Sequence, residues 1–488
     1  MIFSIDDATK TDWTALVDEK GEVFTYADLC MRVREFARCL PERKLVFLLC
    51  RNTPEAVCGY LGTLEAGSVP LLLNAEADPH LLSALFRIYR PGWIWMPLDR
   101  RKEDFPEDRS VFRLGGYELF RTGEESALLN PQLSLLLETS GSTGSPKLVR
   151  LSRRNIEVNA QSIATYLELG REDRSVTSLP MHYTYGLSVI NSHLLAGGCL
   201  LTTSKSLFQR EFWDFFEKQR ATSLAGVPYT YQMLDRMNFC QRKPGSLRKL
   251  TQAGGKLPET LQRKFGVWSR ENDVLFYVMY GQTEATARMS YLPPDRCLDK
   301  IGSIGIPIPG GKFWILDEAA HPGQEGGKRA APGTAGELVY EGENVSLGYA
   351  QNSEDLKKGD ERKGVLHTGD LARCDSEGFY YIIGRKSRFL KLYGNRVSLD
   401  ACEDLLSERF PDCEIACRGT DDNLCIYVTD PEYAEDCCSY LADVLHISRK
   451  AFRSYCVDEM PKNDAGKIQY FRLQELEAGR ERRGESDG

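Results

Sequence analysis

Thr139-Ser140-Gly141-Ser142-Thr143-Gly144-Ser145-Pro146-Lys147 directly follows the apolar run Leu133 to Leu137. Its hydroxyl side chains, two glycines and lysine offer backbone N–H groups, O–H donors and a cation, the combination a triphosphate requires. The stretch reads as a phosphate loop, with Thr139, Ser140, Gly141, Ser142, Thr143, Gly144 and Lys147 as nucleotide-binding candidates. Its spacing is not that of a Walker A loop. Gly141 and Gly144 stand too close together, and Lys147 is followed by Leu148 where that motif has a magnesium-binding Ser or Thr. Taken alone, the same residues would serve equally as a flexible linker, so the neighbouring segments decide.

Around the loop, short apolar runs bounded by turn residues (Leu45 to Cys50, Val69 to Leu73, Leu133 to Leu137, Cys199 to Thr203, Val274 to Met279) alternate with stretches long enough for helices. These are Glu55 to Ala66, Asn155 to Leu167, Phe208 to Gln219 and Glu259 to Val267. The alternation predicts an α/β fold with doubly wound, mainly parallel sheets. After Asp299 the texture changes to Gly, Pro and short β-rich runs (Phe313 to Leu316, Glu337 to Glu341, Phe379 to Ile383), which suits a small β-barrel or an antiparallel sheet. Asp317 to Gly336 and Gln351 to Gly364 read as exposed loops. Beyond Gly384 comes a compact α+β pattern: strand Phe389 to Leu392, helix Leu399 to Phe410, strand Leu424 to Val428, helix Ala434 to Leu445. A boundary at Gly384 to Arg388 is expected to divide a large N-terminal domain, 1–384, from a smaller C-terminal domain, 385–488, with Glu477 to Gly488 as a frayed tail.

The 488 residues are 42% hydrophobic, 10% aromatic and 27% charged, the proportions of an ordinary globular protein of several structural units. The 62 basic and 70 acidic residues are interspersed and sum to −8, which argues against a nucleic-acid surface. Fifteen cysteines include no C-x-x-C pair, and the densest stretch, Cys413 to Cys438, has no histidine at a zinc-like spacing, so reduced, packed thiols are expected. The N-terminus lacks a basic region followed by an apolar one, and no run approaches a membrane span. A cytoplasmic protein is expected.

Four further segments carry chemistry. Tyr280-Gly281-Gln282-Thr283-Glu284 follows the run Val274 to Met279, which would gather an aromatic ring, a tight turn, a hydroxyl and a carboxylate at the C-terminal edge of a parallel sheet, where ligands of doubly wound folds bind. His367-Thr368-Gly369-Asp370 is read as a second turn carrying an acid that could accept both hydroxyls of a ribose. Gly384 to Arg396 is a basic run containing Arg385, Lys391, Gly394 and Arg396, and Pro461 to Lys467 ends in a lysine after glycine. Singly each has a bland reading, as a strand-end turn, a cap, a solvated face or a turn lysine.

Together, and in this order, the five segments resemble the acyl-adenylate-forming superfamily, the AMP-dependent synthetases and ligases. The resemblance covers almost the whole chain and extends to Gly62 through Pro70, Gly336-Glu337-Leu338, Asn344-Val345 and Gly348-Tyr349. It implies ATP-dependent activation of a carboxylic acid to acyl-AMP with release of pyrophosphate, followed by transfer of the acyl group to a thiol. By the same resemblance the hydroxyl-rich loop would close over the β- and γ-phosphates, and adenine would lie between Ala253-Gly254-Gly255 and the ring of Tyr280. Thr283 would reach the α-phosphate, Glu284 would help to hold Mg²⁺, and Asp370 would bind the ribose with help from Arg385. Lys467 would bridge the substrate carboxylate and the α-phosphate. The C-terminal domain would then rotate, bringing the segment from Lys391 to Arg396, with Gly394, to a thiol tunnel. The chain departs from the family pattern at Ser387 in the hinge, where Asp or Lys is usual, at Leu148, and at Ala253.

The acyl pocket is expected from Pro180 to Gly186, including His182, Tyr183, Tyr185 and Gly186, from Val227-Pro228-Tyr229, and from Tyr277 to Met279. No Asp stands there for a substrate ammonium, so an α-amino acid is disfavoured and a small aromatic or medium acyl acid fits better. The acceptor is either CoA or the phosphopantetheine arm of an acyl or peptidyl carrier protein acting in trans. The rival of another class is a non-catalytic nucleotide-binding homologue, which the phosphate loop, Glu284, Asp370 and Lys467 argue against.

Overall fold

The computed structural model describes residues 1–100, 110–124, 127–139, 147–242, 245–316, 329–331, 333–462, 468–470 and 472–473. The chain forms two compact units. One comprises Met1–Thr139, Ser145–Lys312 and Tyr340–Leu366, the other Phe313–Val339 and His367–Gly488, as far as their described residues go.

The first unit is built on two large sheets. One runs, edge to edge, Gly348–Ala350, Leu148–Ser152, Leu133–Glu138, Val69–Asn74, Leu45–Cys50, Trp93–Pro97, Tyr117–Arg121 and Ser110–Leu114. Its centre is parallel, with Leu45–Cys50 in register with both Val69–Asn74 and Trp93–Pro97. Every residue of Leu45–Cys50 is buried because its two faces are both covered: Val46, Leu48 and Cys50 enter one core, Leu45, Phe47 and Leu49 another. The helix Pro54–Glu65 begins at the Thr53 cap with proline in its first turn, as the missing proline N–H allows. Its Gly59 and Gly62 let the rings of Trp95 and Phe36 pack against the helix backbone, where a Cβ would lie 2.4 and 2.6 Å from them.

The second sheet runs Ile306–Pro307, Ser290–Leu292, Leu275–Tyr280, Lys249–Gln252, Ser223–Gly226, Arg174–Val176, Cys199–Thr202, Thr14–Asp18 and Val23–Thr25. Ser223–Gly226, Lys249–Gln252 and Leu275–Tyr280 are mutually parallel and in step, Gly226 opposite Gln252 and Gln252 opposite Val278. The expected parallel sheets are present, with antiparallel strands added at their edges.

In the second unit, of the barrel and the antiparallel sheet that the sequence allows, the described residues form a four-stranded sheet of Lys312–Leu316, Gly336–Glu341, Val365–Cys374 and Tyr380–Arg385, whose ends carry the chain into the first unit. His367 to Asp370 is not a turn, as read from the sequence. It lies inside the Val365–Cys374 strand, with Gly369 at φ +71° allowing the local departure from extended geometry that the glycine had suggested. The hairpin Phe389–Leu392 and Asn395–Ser398 follows, then the sheet Ile415–Thr420, Asn423–Val428 and Phe452–Cys456 under helices Leu399–Arg409 and Ala434–Leu445. Cys413, Cys417, Cys425, Cys437 and Cys438 are buried here as free thiols. Burial pushes the Cys437 thiol up to about 12, so it acts as a small apolar side chain. Among the described residues no helix is long and apolar enough to cross a membrane.

Candidate active site

Three parallel strands of the first unit end side by side, so the segments that leave them start from one sheet edge. Val227-Pro228-Tyr229 leaves Ser223–Gly226, Ala253-Gly254-Gly255 leaves Lys249–Gln252, and Gly281 to Glu284 leaves Leu275–Tyr280. That is where a doubly wound fold binds ligand. Gly254, at φ +88°, is in close contact with its neighbours: a Cβ there would lie 2.6 Å from the Tyr183 hydroxyl and 3.1 Å from Val227 Cγ1. The expected adenine side and acyl wall therefore touch.

Thr283 and Glu284 sit in a one-turn 3₁₀ helix, Thr283–Ala285, closed by Thr286 at φ +66°. The turn is held from several directions. Thr286 Oγ1 donates to the Asn344 carbonyl at 2.6 Å, Asn344 Nδ2 donates to the Ala285 carbonyl at 2.8 Å, and Thr184 Oγ1 donates to the Thr286 carbonyl at 3.1 Å. Asn344 Oδ1 in turn accepts from the buried Tyr340 hydroxyl. Gly281 is required by its contact with the returning chain, since a Cβ there would lie 1.7 Å from the Ala287 carbonyl oxygen.

The Glu284 carboxylate accepts a 2.7 Å hydrogen bond from the Tyr349 hydroxyl. Burial, then the adjacent carboxylate, push that hydroxyl up to about 12, so it stays a donor. Arg362 and Lys147 lie over the Tyr349 ring at 4.7 and 5.9 Å from its centre. The loop bearing Tyr349 is fixed by fully buried Arg150, which pairs with Glu361 and donates to the carbonyls of Leu347 and Tyr349. The Lys147 carbonyl accepts from the Thr139 backbone N–H at 3.1 Å and from Thr139 Oγ1 at 3.3 Å, so the two described residues that flank the expected phosphate loop meet. Lys147, Tyr349 and Glu284 form one cluster. Ser140, Gly141, Ser142, Thr143 and Gly144 lie outside the described residues.

Of the residues expected to line an acyl pocket, Tyr185, Gly186, Val227 and Met279 are buried, while His182, Tyr183 and Tyr229 are partly exposed. Tyr185 donates to Thr251 Oγ1 at 2.9 Å, and its ring lies 6.4 Å from that of Tyr183. Sequence reasoning missed three residues of this region: Tyr349 as the partner of Glu284, Tyr166, which stacks on Tyr291 at 4.3 Å, and Arg288, whose guanidinium lies 5.0 Å from the centre of the Tyr185 ring. A tyrosine in a Gly-Tyr pair or an arginine in a turn carries no local signal of these partners.

In the second unit Asp370 is 3% exposed and stands directly opposite Arg385 on the neighbouring strand, Arg385 Nε lying 3.2 Å from Asp370 Oδ1. The adjacent Glu337 receives Lys386 at 3.0 Å and the Gly369 backbone N–H at 3.2 Å. Lys391 and Arg396 are cross-strand partners in the hairpin Phe389–Ser398, whose tip is Tyr393-Gly394. Gly394 has φ +88° and open space where a Cβ would go. Lys467 lies outside the described residues, and the bridge between Lys462 and Ile468 brackets its segment.

Comparison with known proteins bears on this arrangement directly. Residues 4–350 match the AMP-binding enzyme family. The chain is 28% identical over 478 residues to a 2-succinylbenzoate–CoA ligase of Bacillus pumilus, covering 92% of each, and 27% identical over 361 residues to a sulfoacetate–CoA ligase of Cupriavidus necator, covering 70% of this chain and 66% of that one. Among solved structures it resembles o-succinylbenzoate coenzyme A synthetase of Bacillus subtilis in complex with AMP (TM-score 0.77, 21% identity, 97% of this chain and 98% of that one). It also resembles ATP-bound MatB of Rhodopseudomonas palustris (TM-score 0.74, 22% identity, 98% and 99%). With Gly281 to Glu284 on the expected sheet edge and residues 4–350 matched to the family, the chain belongs to the AMP-binding enzymes, the acyl-adenylate-forming superfamily.

Proposed function

We propose that this protein is an AMP-forming acid–thiol ligase: it joins a carboxylic acid to the α-phosphate of ATP, releases pyrophosphate, and passes the acyl group to the thiol of CoA. The observation that carries the reading is the fixed turn Gly281–Thr286, which holds a hydroxyl and a carboxylate at the C-terminal edge of the parallel strands, with Lys147 tied to the same carboxylate through Tyr349. Its relatives named as CoA ligases support the same reaction class.

A nucleotide fits these residues. In the first unit Gly254 adds no side chain of its own and Tyr280 supplies an aromatic ring for a flat base, and in the second the paired Asp370 and Arg385 offer the acceptor and donor that ribose hydroxyls need. Attack of a carboxylate on an α-phosphate brings two anions together, so cations must neutralise the approach. Bound Mg²⁺ would supply part of that neutralisation. Glu284, oriented by the hydrogen bond from the Tyr349 hydroxyl, would hold it, and Thr283 would donate to the α-phosphate. Lys467 is assigned to the junction of carboxylate and phosphate, and Gly394 to passage of the thiol arm.

We assign the moving segment to 385–488, with its pivot at Ser387. Contacts support that position: Lys386 reaches back to Glu337, whereas Arg388 turns to Asp400 and Glu403 of the C-terminal α+β fold. Fifteen free thiols agree with a reducing compartment, and we place the enzyme in the cytoplasm.

Pyrophosphate exchange across a panel of carboxylic acids, followed by a thiol panel of CoA and phosphopantetheinylated carrier proteins, tests the reading. Exchange with at least one acid and thioester formation with CoA are expected. Loading of a carrier arm in preference to CoA would replace the acceptor, and no exchange with any acid would overturn the function.

A further inference from the structure

Arg288 is 2% exposed and lies between the nucleotide turn and the Ser290–Leu292 strand. Its guanidinium donates to the Tyr166 hydroxyl at 3.1 Å and contacts Met279 Sδ at 3.6 Å, with the Tyr185 ring beside it. Its Nε–H is buried without an acceptor. Among the described residues no carboxylate pairs with it. Asp173, which like Arg288 acts on the charge of His193, is engaged by Lys249 at 2.7 Å and by the Gly170 backbone N–H at 2.9 Å. Nearby His193 supplies no counter-charge either, since an imidazole is neutral or positive and burial holds this one down to about 4.

A guanidinium keeps its proton in a protein, and a buried one without a counter-ion is costly. Arg150, equally buried, shows what a structural arginine gathers here: the carboxylate of Glu361 and the carbonyls of Leu347, Tyr349, Lys358 and Gly359. Arg288 instead has a phenol oxygen and a thioether, both neutral. Its surroundings, Tyr166, Tyr185 and Met279, share one apolar cluster with Val227, and we assign Tyr185, Met279 and Val227 to the acyl pocket. The Gly281–Ala287 contact fixes it at a constant offset from Thr283 and Glu284.

We propose that Arg288 is the counter-charge for a second anionic group on the substrate, so that the acid activated is a dianion bearing a further carboxylate or sulfonate away from the reacting carboxylate. This rests on the ligase reading above. The tyrosines and Val227 would take the apolar spacer between the two groups, and the charge at the far end would select against acids with neutral tails.

The test is pyrophosphate exchange by the full-length protein with matched acids: aliphatic and arylalkanoic dicarboxylates and sulfonates, each beside the analogue whose far anion is a neutral amide. The dianions should be preferred by ~100-fold or more in kcat/KM. Arg288→Met should remove that preference, chiefly through KM, and Arg288→Lys should retain part of it. Amides used as well as the dianions by the wild type, or a preference that survives Arg288→Met, overturns the inference. The wild-type comparison stands alone if the variants do not fold. Should no acid support exchange, the ligase reading falls, and calorimetric titration of the same pairs then decides. Dianion binding that is lost in Arg288→Met sustains the role of Arg288, and equal or absent binding of the pair ends it.

Discussion

Replacing Gly281 with alanine adds one methyl group where the structure has no room for it. The new Cβ would lie 1.7 Å from the Ala287 carbonyl oxygen, 2.6 Å from its carbon and 2.8 Å from Arg288 Cα, all backbone atoms that cannot rotate away. Relief to an ordinary contact of roughly 3.5 Å requires the two strands of the turn to separate by about 1.5 to 2 Å. That separation is resisted by the Met289 backbone N–H donating to the Tyr280 carbonyl at 2.8 Å and by the bonds that Asn159 and Thr184 make to the carbonyls of Arg288 and Thr286. Overpacking of this kind costs about 1 to 3 kcal/mol. The same movement displaces Thr283 and Glu284, and a misplacement of about 1 Å at reacting groups costs on the order of 100-fold in rate. Gly281→Ala is therefore expected to lower the melting temperature by a few degrees and the kcat/KM of pyrophosphate exchange by ~100-fold. Gly116→Ala is the control. Its Cβ would meet nothing within 4 Å, and exchange should stay within about 3-fold of wild type. Wild-type exchange in Gly281→Ala, or equal losses in the two variants, would refute the claim that this backbone contact positions the turn.

Tyr349→Phe removes the hydroxyl that donates to Glu284 while keeping the ring under Lys147 and Arg362, and should weaken exchange most at limiting Mg²⁺; a uniform loss at all Mg²⁺ concentrations would contradict the positioning role. Asp370→Ala should raise the KM for ATP, since charge-assisted hydrogen bonds to ribose are worth ~1.5 to 3 kcal/mol each, and an unchanged KM excludes the assignment. Lys467→Ala should abolish acyl-AMP formation yet retain thioester formation from supplied acyl-AMP, whereas Gly394→Leu, with open space but φ +88°, should do the reverse; equal loss of both half-reactions in either variant would sink the alternating segment. His193, held by burial from 6.5 down to about 4, leaves the unfolded chain binding the extra proton between those values, so its contribution is present above pH 6.5 and is lost as pH falls toward 4, about 3 kcal/mol in all. Chemical denaturation across that range should show the slope, and His193→Gln should flatten it.

The fold was legible wherever a local pattern was strong. Leu45 to Cys50 and Phe389 to Leu392 are strands over those residues, and Ala434 to Leu445 is a helix over its whole expected span, because an unbroken apolar run, a strand-like alternation and a helical period leave few alternatives. Elements whose reason for existing is tertiary escaped. Leu148–Ser152 is a strand because it returns antiparallel along Leu133–Glu138, and Arg174–Val176 is only three residues long, held by neighbours on both sides. Thr184–Ala196 is a helix buried nearly all round, so it shows no polar face to mark its period. His367 to Asp370 misled in the opposite direction: glycine beside aspartate suggests a turn, and a strand on both sides of the pair overrides it.

The candidate site divides along the same line. Motif residues could be named from their order in the chain, since strand-end turns are local and Tyr280, Thr283 and Glu284 share one. What each side chain meets could not, because partners such as Tyr349, 65 residues from Glu284, are brought in by sheet assembly. Substrate selection is the extreme case. Arginine is read from sequence as a surface charge, and only its burial together with the absence of a carboxylate partner among the described residues turns Arg288 into a statement about ligand charge. The comparison with Arg150 makes the point physical: the two are the same residue type with nearly the same exposure, and they differ in whether the fold supplies the opposite charge. Where the fold supplies it, the arginine holds a loop in place. Where it does not, the missing charge has to come from the molecule that binds.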